Sequence, residues 1–214
     1  MNDTYMTAAL VGGLVGALVM PLLVRVGLRQ LRSHRPFGRW ATSTYVATGF
    51  GIGAAAAGLS ATRVDGALLP ALVAWALALT ALAFCDGAAR RIPTALVRQA
   101  AVVVVLLLAV GSAGTECWVV LAGALAGALL LTGAFMVAWR YAGVGRGDVR
   151  LAVLSGLGLG FASPTSLVAG VTVWAAFVAG QSAVCRARGG SFATEIPMAP
   201  GFALGSLVAA IEPW

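Results

Sequence analysis

Eight stretches of this chain are nearly free of charge, at roughly 6–27, 41–62, 67–85, 94–112, 117–139, 149–163, 166–184 and 198–212. Short polar segments rich in arginine, glycine and proline separate them. A helix needs about 18 to 20 apolar residues to span a bilayer. In hydrocarbon, only a helix or a closed barrel satisfies its own backbone polar groups. The pattern predicts an all-α polytopic membrane bundle with about eight transmembrane helices. The sixth and eighth stretches are short and glycine-rich, which predicts helices that are tilted, broken or sheltered by neighbours.

The polar positions orient the bundle. Segment 28–40 carries Arg29, Arg32, Arg35 and Arg39, and segment 86–93 carries Arg90 and Arg91, with Arg98 one turn further on. Segment 140–150 carries Arg140, Arg146 and Arg150, and segment 185–197 carries Arg186 and Arg188. These are alternate loops. The opposite loops hold Asp65, Glu116 and a single arginine, Arg63. Basic loops stay in the cytoplasm, so the pattern predicts both the N- and C-termini outside. The opening "MNDTYM" lacks the basic start of a cleaved signal, and the first positive charge is Arg25. That order predicts an uncleaved first span.

Composition sharpens the class. Of 214 residues, 60% are hydrophobic and 10% charged, against roughly 25% charged in a soluble domain. Mean hydropathy is +0.96. No polar segment is long enough for a separate soluble domain, so residues 1–214 read as one integral-membrane domain. The net charge is +7 and all 14 basic residues are arginine. In a soluble chain that balance suggests nucleic acid. Here the arginines flank apolar runs, so topology accounts for them: the partner is the lipid bilayer, with no nucleic acid. Cys85, Cys117 and Cys185 form no CxxC pair, and His34 stands alone in an arginine-rich loop. No metal and no cofactor is expected. The pairs Gly12/Gly16, Gly123/Gly127 and Gly156/Gly160 have the spacing that lets helices approach closely in lipid.

The chemistry lies in the seven acids. Asp3, Asp65, Glu116 and Glu212 fall on the outer side and read as solvated charges. Glu195 lies on the inner side, with nothing to mark it as catalytic. Asp86 ends the third span in "AFCDGAARRIP", and Asp148 begins the sixth in "GVGRGDVRLA". Both fall at the same cytoplasmic boundary, where an acid usually faces the bundle interior or a water-filled cavity. Two carboxylates that meet in such a place do not both ionise easily, and the pair holds one shared proton. That arrangement activates water for attack on a peptide carbonyl. The alternative reading pairs each acid with a nearby arginine: Asp86 with Arg90 or Arg91, Asp148 with Arg146 or Arg150. Gly143, Gly145 and Gly147 let the backbone bend and leave room for an extended substrate strand near Asp148; otherwise they merely form a loop. "GVGRGD" does not fit the dinucleotide-binding pattern G-x-G-x-x-G.

At this point the residues resemble a known family. "GRGDVRL", 145–151, resembles the GxGDxKL motif of type IV prepilin leader peptidases, which are membrane aspartyl proteases of the GxGD type. "DGAARRIP", 86–93, resembles the family's other aspartate motif, and "IPMAPGFALGS", 196–206, resembles its third signature. The likeness covers the chain from about the third span to the end. It implies an eight-helix plasma-membrane peptidase with Asp86 and Asp148 as its catalytic dyad. It implies cleavage on the cytoplasmic side of a prepilin or pseudopilin substrate, after a glycine that follows a short basic leader, with no metal. There are departures. Many members carry a zinc-binding domain with paired CxxC motifs between the first two spans, and also methylate the new N-terminus with S-adenosylmethionine. Here that loop is about a dozen residues without cysteine, so neither zinc nor methyl transfer is expected. Thr94 stands where the motif has Asn, and Arg150 where it has Lys. The short, single-activity members are the nearest match.

Two other readings use the same acids. Presenilin-type intramembrane proteases share GxGD, but pair it with a Tyr-Asp motif and a late Pro-Ala-Leu. Here Cys85 precedes Asp86, and Pro70–Leu72 precedes both aspartates. A proton-coupled transporter would use Asp86 and Asp148 as relays, although no inverted repeat is visible.

Overall fold

The structure, a computed structural model, describes residues 3–31, 39–60, 65–142, 144–187 and 199–209. Among these residues the regular structure is entirely helical. The helices are α1 (Asp3–Gln30), α2 (Arg39–Ser60), α3 (Leu69–Ala89), α4 (Thr94–Thr115), α5 (Trp118–Ala142), α6 (Arg146–Ala162), α7 (Pro164–Ala187) and α8 (Ala199–Ala209), with a single 3-10 turn at Gly66–Leu68 before α3. Each apolar stretch corresponds to one helix. Most helices continue past the apolar run, because the helical hydrogen-bond ladder extends into polar flanks. Asp86 therefore lies inside α3, and Asp148 inside the first turn of α6.

Five segments are long and apolar enough to cross a membrane: Tyr5–Gln30, Gly66–Ala89, Thr94–Thr115, Trp118–Tyr141 and Thr165–Ala187. Helices α2, α6 and α8 are shorter or less apolar. The short helices α6 and α8 are sheltered, as their glycine content predicts. Leu151, Leu154, Leu157, Phe202 and Ala203 are all buried.

Glycine sets the pairing. In lipid, helices gain little from apolar burial against one another, so close van der Waals contact decides which surfaces meet. Gly12 and Gly16 of α1 lie against Gly53 and Gly49 of α2, and a Cβ on Gly12 would lie 2.4 Å from the Gly53 carbonyl oxygen. Gly123 and Gly127 of α5 meet Gly160 and Gly156 of α6 in the same way. Gly170 and Gly205 join α7 to α8, a pairing the sequence spacing does not reveal. Rings of Phe135, Trp174 and Phe202, with centroids 4.9 to 5.0 Å apart, close the space among α5, α7 and α8.

Helix α3 is the hub and packs against α1, α2, α4, α6 and α8. Its Trp75 is 2% exposed. The indole Nε1–H donates to the Leu154 carbonyl of α6 at 2.8 Å, and a Cβ on Gly158 would collide with the indole ring. The contact fixes the axial register of α3 on α6. Asp86 lies eleven residues beyond Trp75, and Asp148 lies ten residues before Gly158. At about 1.5 Å per residue, both aspartates stand roughly 15 to 17 Å from the pin, at the same end of the bundle.

Candidate functional site

Asp86 is on the last full turn of α3, at spacings of four, seven and eleven residues from Leu82, Leu79 and Trp75. That spacing puts it on the core-facing side of the helix, where it is 6% exposed. The helix then ends abruptly. Arg90 adopts the left-handed conformation (φ 50°) and its N–H donates to the Asp86 carbonyl at 2.7 Å. A left-handed residue with a side chain costs roughly 1 to 2 kcal/mol, and this one turns the chain into Arg91–Pro93 and on into α4.

That connection is held from several sides. Gln30, at the end of α1, accepts the Leu96 N–H on its Oε1 at 3.1 Å, supplying the cap that Pro93 lacks. Gly27 lies against Cys85, Pro93 and Leu96. Ile92 rests on Gly147, where a Cβ would lie 3.3 Å from Ile92 Cδ1. Arg150 Nη1 donates to the Thr94 hydroxyl.

Asp148 is the third residue of α6. Its Oδ2 accepts the Gly145 N–H at 3.2 Å, while the Gly145 carbonyl accepts the Asp148 N–H at 3.1 Å. Side chain and backbone thus hold each other as one arm of a capping box. A Cβ at position 145 would lie 2.9 Å from that same Oδ2, so glycine lets the carboxylate fold back onto the helix start. Gly145 therefore orients Asp148, and Gly147 brings the α3–α4 connection close to it. Gly143 lies outside the described residues.

The two carboxylates are coupled. Burial, as the larger cause, and the neighbouring Asp86 charge push the Asp148 carboxyl up to about 6, against opposing hydrogen bonds from backbone N–H groups. The arginines flanking Asp148 are engaged elsewhere. The Arg146 guanidinium lies 5.1 Å from the Trp139 ring centroid, and Arg150 is bonded to Thr94. Neither reaches Asp148 as an ion pair among the described residues, so the arginine-pairing reading loses its partners on the α6 side.

A third element completes the site. The N–H of Ala199, the first residue of α8, donates to Asp86 Oδ2 at 3.0 Å in a buried hydrogen bond. Nothing in the spacing of apolar and polar residues points to this contact across 113 positions. The other acids play local roles or lie outside the described residues. Asp65 Oδ1 caps the 3-10 turn by accepting the Ala67 N–H at 3.1 Å, and Glu116 closes α4 in a left-handed turn. Glu195, Glu212, His34 and the Ile196–Pro197 pair lie outside the described residues. Among the described residues, no three His, Cys, Asp or Glu side chains gather to hold a metal ion.

The starts of α4, α6 and α8 and the ends of α1 and α3 therefore meet at one end of the bundle, around two coupled carboxyl groups. Such a pair, sharing a proton in partial desolvation, has the chemistry to activate water. Searches against family models, characterised proteins and solved structures found no match to this chain.

Proposed function

We propose that this protein is a membrane aspartyl endopeptidase of the prepilin leader peptidase type. The observation that carries the reading is the coupling of Asp86 and Asp148 at one end of a helical bundle, with the Asp148 carboxyl held near 6. A carboxyl that keeps its proton well above the usual carboxylate range, beside a second carboxylate, is the asymmetry that general acid–base catalysis requires. The pair as a unit holds one proton.

In this reading the ionised carboxylate takes a proton from water, and the water oxygen bonds to the scissile carbonyl carbon. The protonated carboxyl gives its proton to the carbonyl oxygen. When the tetrahedral intermediate collapses, the C–N bond breaks and the departing amine takes up the proton drawn from water. As the C=O bond re-forms, one hydroxyl of the intermediate returns its proton to the second carboxylate, so the new carboxyl group stays on the leader and the dyad returns to its starting state. The substrate is a prepilin or pseudopilin, whose apolar helix lies in the bilayer beside the bundle. Its basic leader reaches the cytoplasmic face, where glycine at 145 leaves room beside the Asp148 carboxylate. The topology has eight spans, with both termini outside the plasma membrane.

The test is co-expression with a prepilin bearing a basic leader bounded by glycine. Asp86→Asn and Asp148→Asn each abolish leader removal while the protein accumulates at normal levels in the membrane. Continued processing with both substitutions in place overturns the reading.

A further inference from the structure

Asp86 is held from outside its own helix. Its Oδ2 is held by a backbone amide from the opposite end of the sequence, at the first residue of α8. Three observations make this contact more than a packing accident. The first N–H groups of a helix have no partner within it, so the start of α8 requires an acceptor, and a buried carboxylate is a strong one. Ala199 is 1% exposed and Asp86 6% exposed, so the bond is shielded from water. The start of α8 is also fixed from behind, where Gly201 meets Phe177 and Trp174, and Phe202 stacks with Phe135 and Trp174. The donor sits on a rigid platform, and the positive end of the helix dipole points at the acid.

We propose that the Ala199 amide is a positioning group for the dyad. It fixes one oxygen of Asp86 and so sets the direction in which the other oxygen is presented. The last helix is then a working part of the site, and the bundle is functional only once α8 has docked. Asp148 on α6 and the Cys85 thiol next to it on α3 both couple electrostatically to Asp86. The inference uses the peptidase reading for its kinetic arm alone.

The bond itself is testable without any substrate. Met198–Ala199 is the one Met-Ala pair in the sequence. Labelling the full-length protein with carbonyl-13C methionine and 15N alanine therefore gives a single doubly filtered amide resonance. In the wild type this amide exchanges slowly with solvent. In Asp86→Ala its exchange accelerates by about tenfold or more, the factor expected for loss of a hydrogen bond to a charged acceptor. Unchanged exchange in Asp86→Ala overturns the proposal.

The kinetic arm replaces the 199 amide by an ester, using the α-hydroxy analogue of alanine at that position. This removes the N–H with almost no change of shape, and Ala199→Pro, compatible with a first helical turn, is its genetic counterpart. Both lower kcat for leader removal by about tenfold or more and leave KM unchanged, and Ala199→Gly, which keeps the amide, restores kcat. An ester variant with wild-type kcat overturns the positioning role. If the wild type cleaves no prepilin, the peptidase reading fails, and amide exchange still decides whether α8 holds Asp86.

Discussion

Arg150 donates from Nη1 to the hydroxyl of Thr94, tying the first turn of α6 to the first residue of α4. The two residues are 56 positions apart, and each belongs to one of the two aspartate-bearing segments. They are also the two positions where the motif residues differ from the pattern the sequence resembles, and in the folded chain they are partners. With Ile92 resting on Gly147 beside them, the bond fixes the α3–α4 connection to the helix that carries Asp148.

Removing either side of this clasp should loosen the spacing of the dyad without unfolding the bundle. On the peptidase reading, Arg150→Ala and Thr94→Val should each reduce leader removal, with the double variant no worse than the more impaired single one. The coupling in a double-mutant cycle should be about 0.5 to 1.5 kcal/mol, the usual range for one hydrogen bond. Fully additive effects in prepilin processing would show that the two residues act independently.

The pin between α3 and α6 makes a sterner prediction. A Cβ on Gly158 runs into the Trp75 indole, so Gly158→Ala forces the helices apart or out of register. Overpacking of this kind costs about 1 to 3 kcal/mol, to be read as a lower thermal midpoint in detergent. Trp75→Phe alone loses the bond to the Leu154 carbonyl and costs about 1 kcal/mol. Combined with Gly158→Ala it should recover part of the loss by making room. If Gly158→Ala melts like the wild type, Trp75 does not set the register.

Two glycines of α5 should behave oppositely. A Cβ on Gly127 would lie 2.5 Å from the Gly156 carbonyl oxygen, whereas one on Gly133 meets nothing within 4 Å. Gly127→Ala should destabilise the protein by about 1 to 3 kcal/mol and impair the site, because α5 positions α6. Gly133→Ala should be neutral, or stabilising by about 0.5 to 1 kcal/mol, since alanine loses less conformational freedom in a helix. Equal effects at the two positions in a thermal-melt comparison would contradict the packing described.

The pH dependence follows from Asp148, raised from 3.8 to about 6 by burial and then by Asp86. An acid raised in the folded state binds its proton more tightly there than in the unfolded chain. Its contribution to stability is therefore fully present below about 4 and is lost as pH rises through about 6. The thermal midpoint should carry a downward component across that window, and Asp148→Asn should remove it. On the peptidase reading, leader removal needs the proton on the dyad and should decline above about 6 by up to tenfold per unit. A slope that survives in Asp148→Asn would assign it to another group.

Much of the fold was legible in the sequence because membrane helices obey few constraints. A run such as 117–139 must satisfy its backbone internally, and its length matches the bilayer, so the helix follows from composition alone. The small-residue faces Gly12/Gly16, Gly123/Gly127 and Gly156/Gly160 were also legible, since spacing of four residues aligns them on one side of a helix. The acids stood out for the same reason: Asp86 and Asp148 are charges at the edges of segments that otherwise exclude charge.

What the sequence by itself determined is the set of helices, the Gly12/Gly16, Gly123/Gly127 and Gly156/Gly160 faces, and two acids flanking apolar runs. Only the tertiary structure decided how those helices meet. The Trp75–Gly158 pin, the Gln30 cap on Leu96, the Arg150–Thr94 clasp and the Ala199 amide on Asp86 all join residues more than fifty positions apart. Periodicity reports which side of a helix is apolar, and carries no information about which neighbour covers that side or at what height. Register and orientation arise from steric fit and from individual hydrogen bonds between distant segments, and those exist only in the packed bundle.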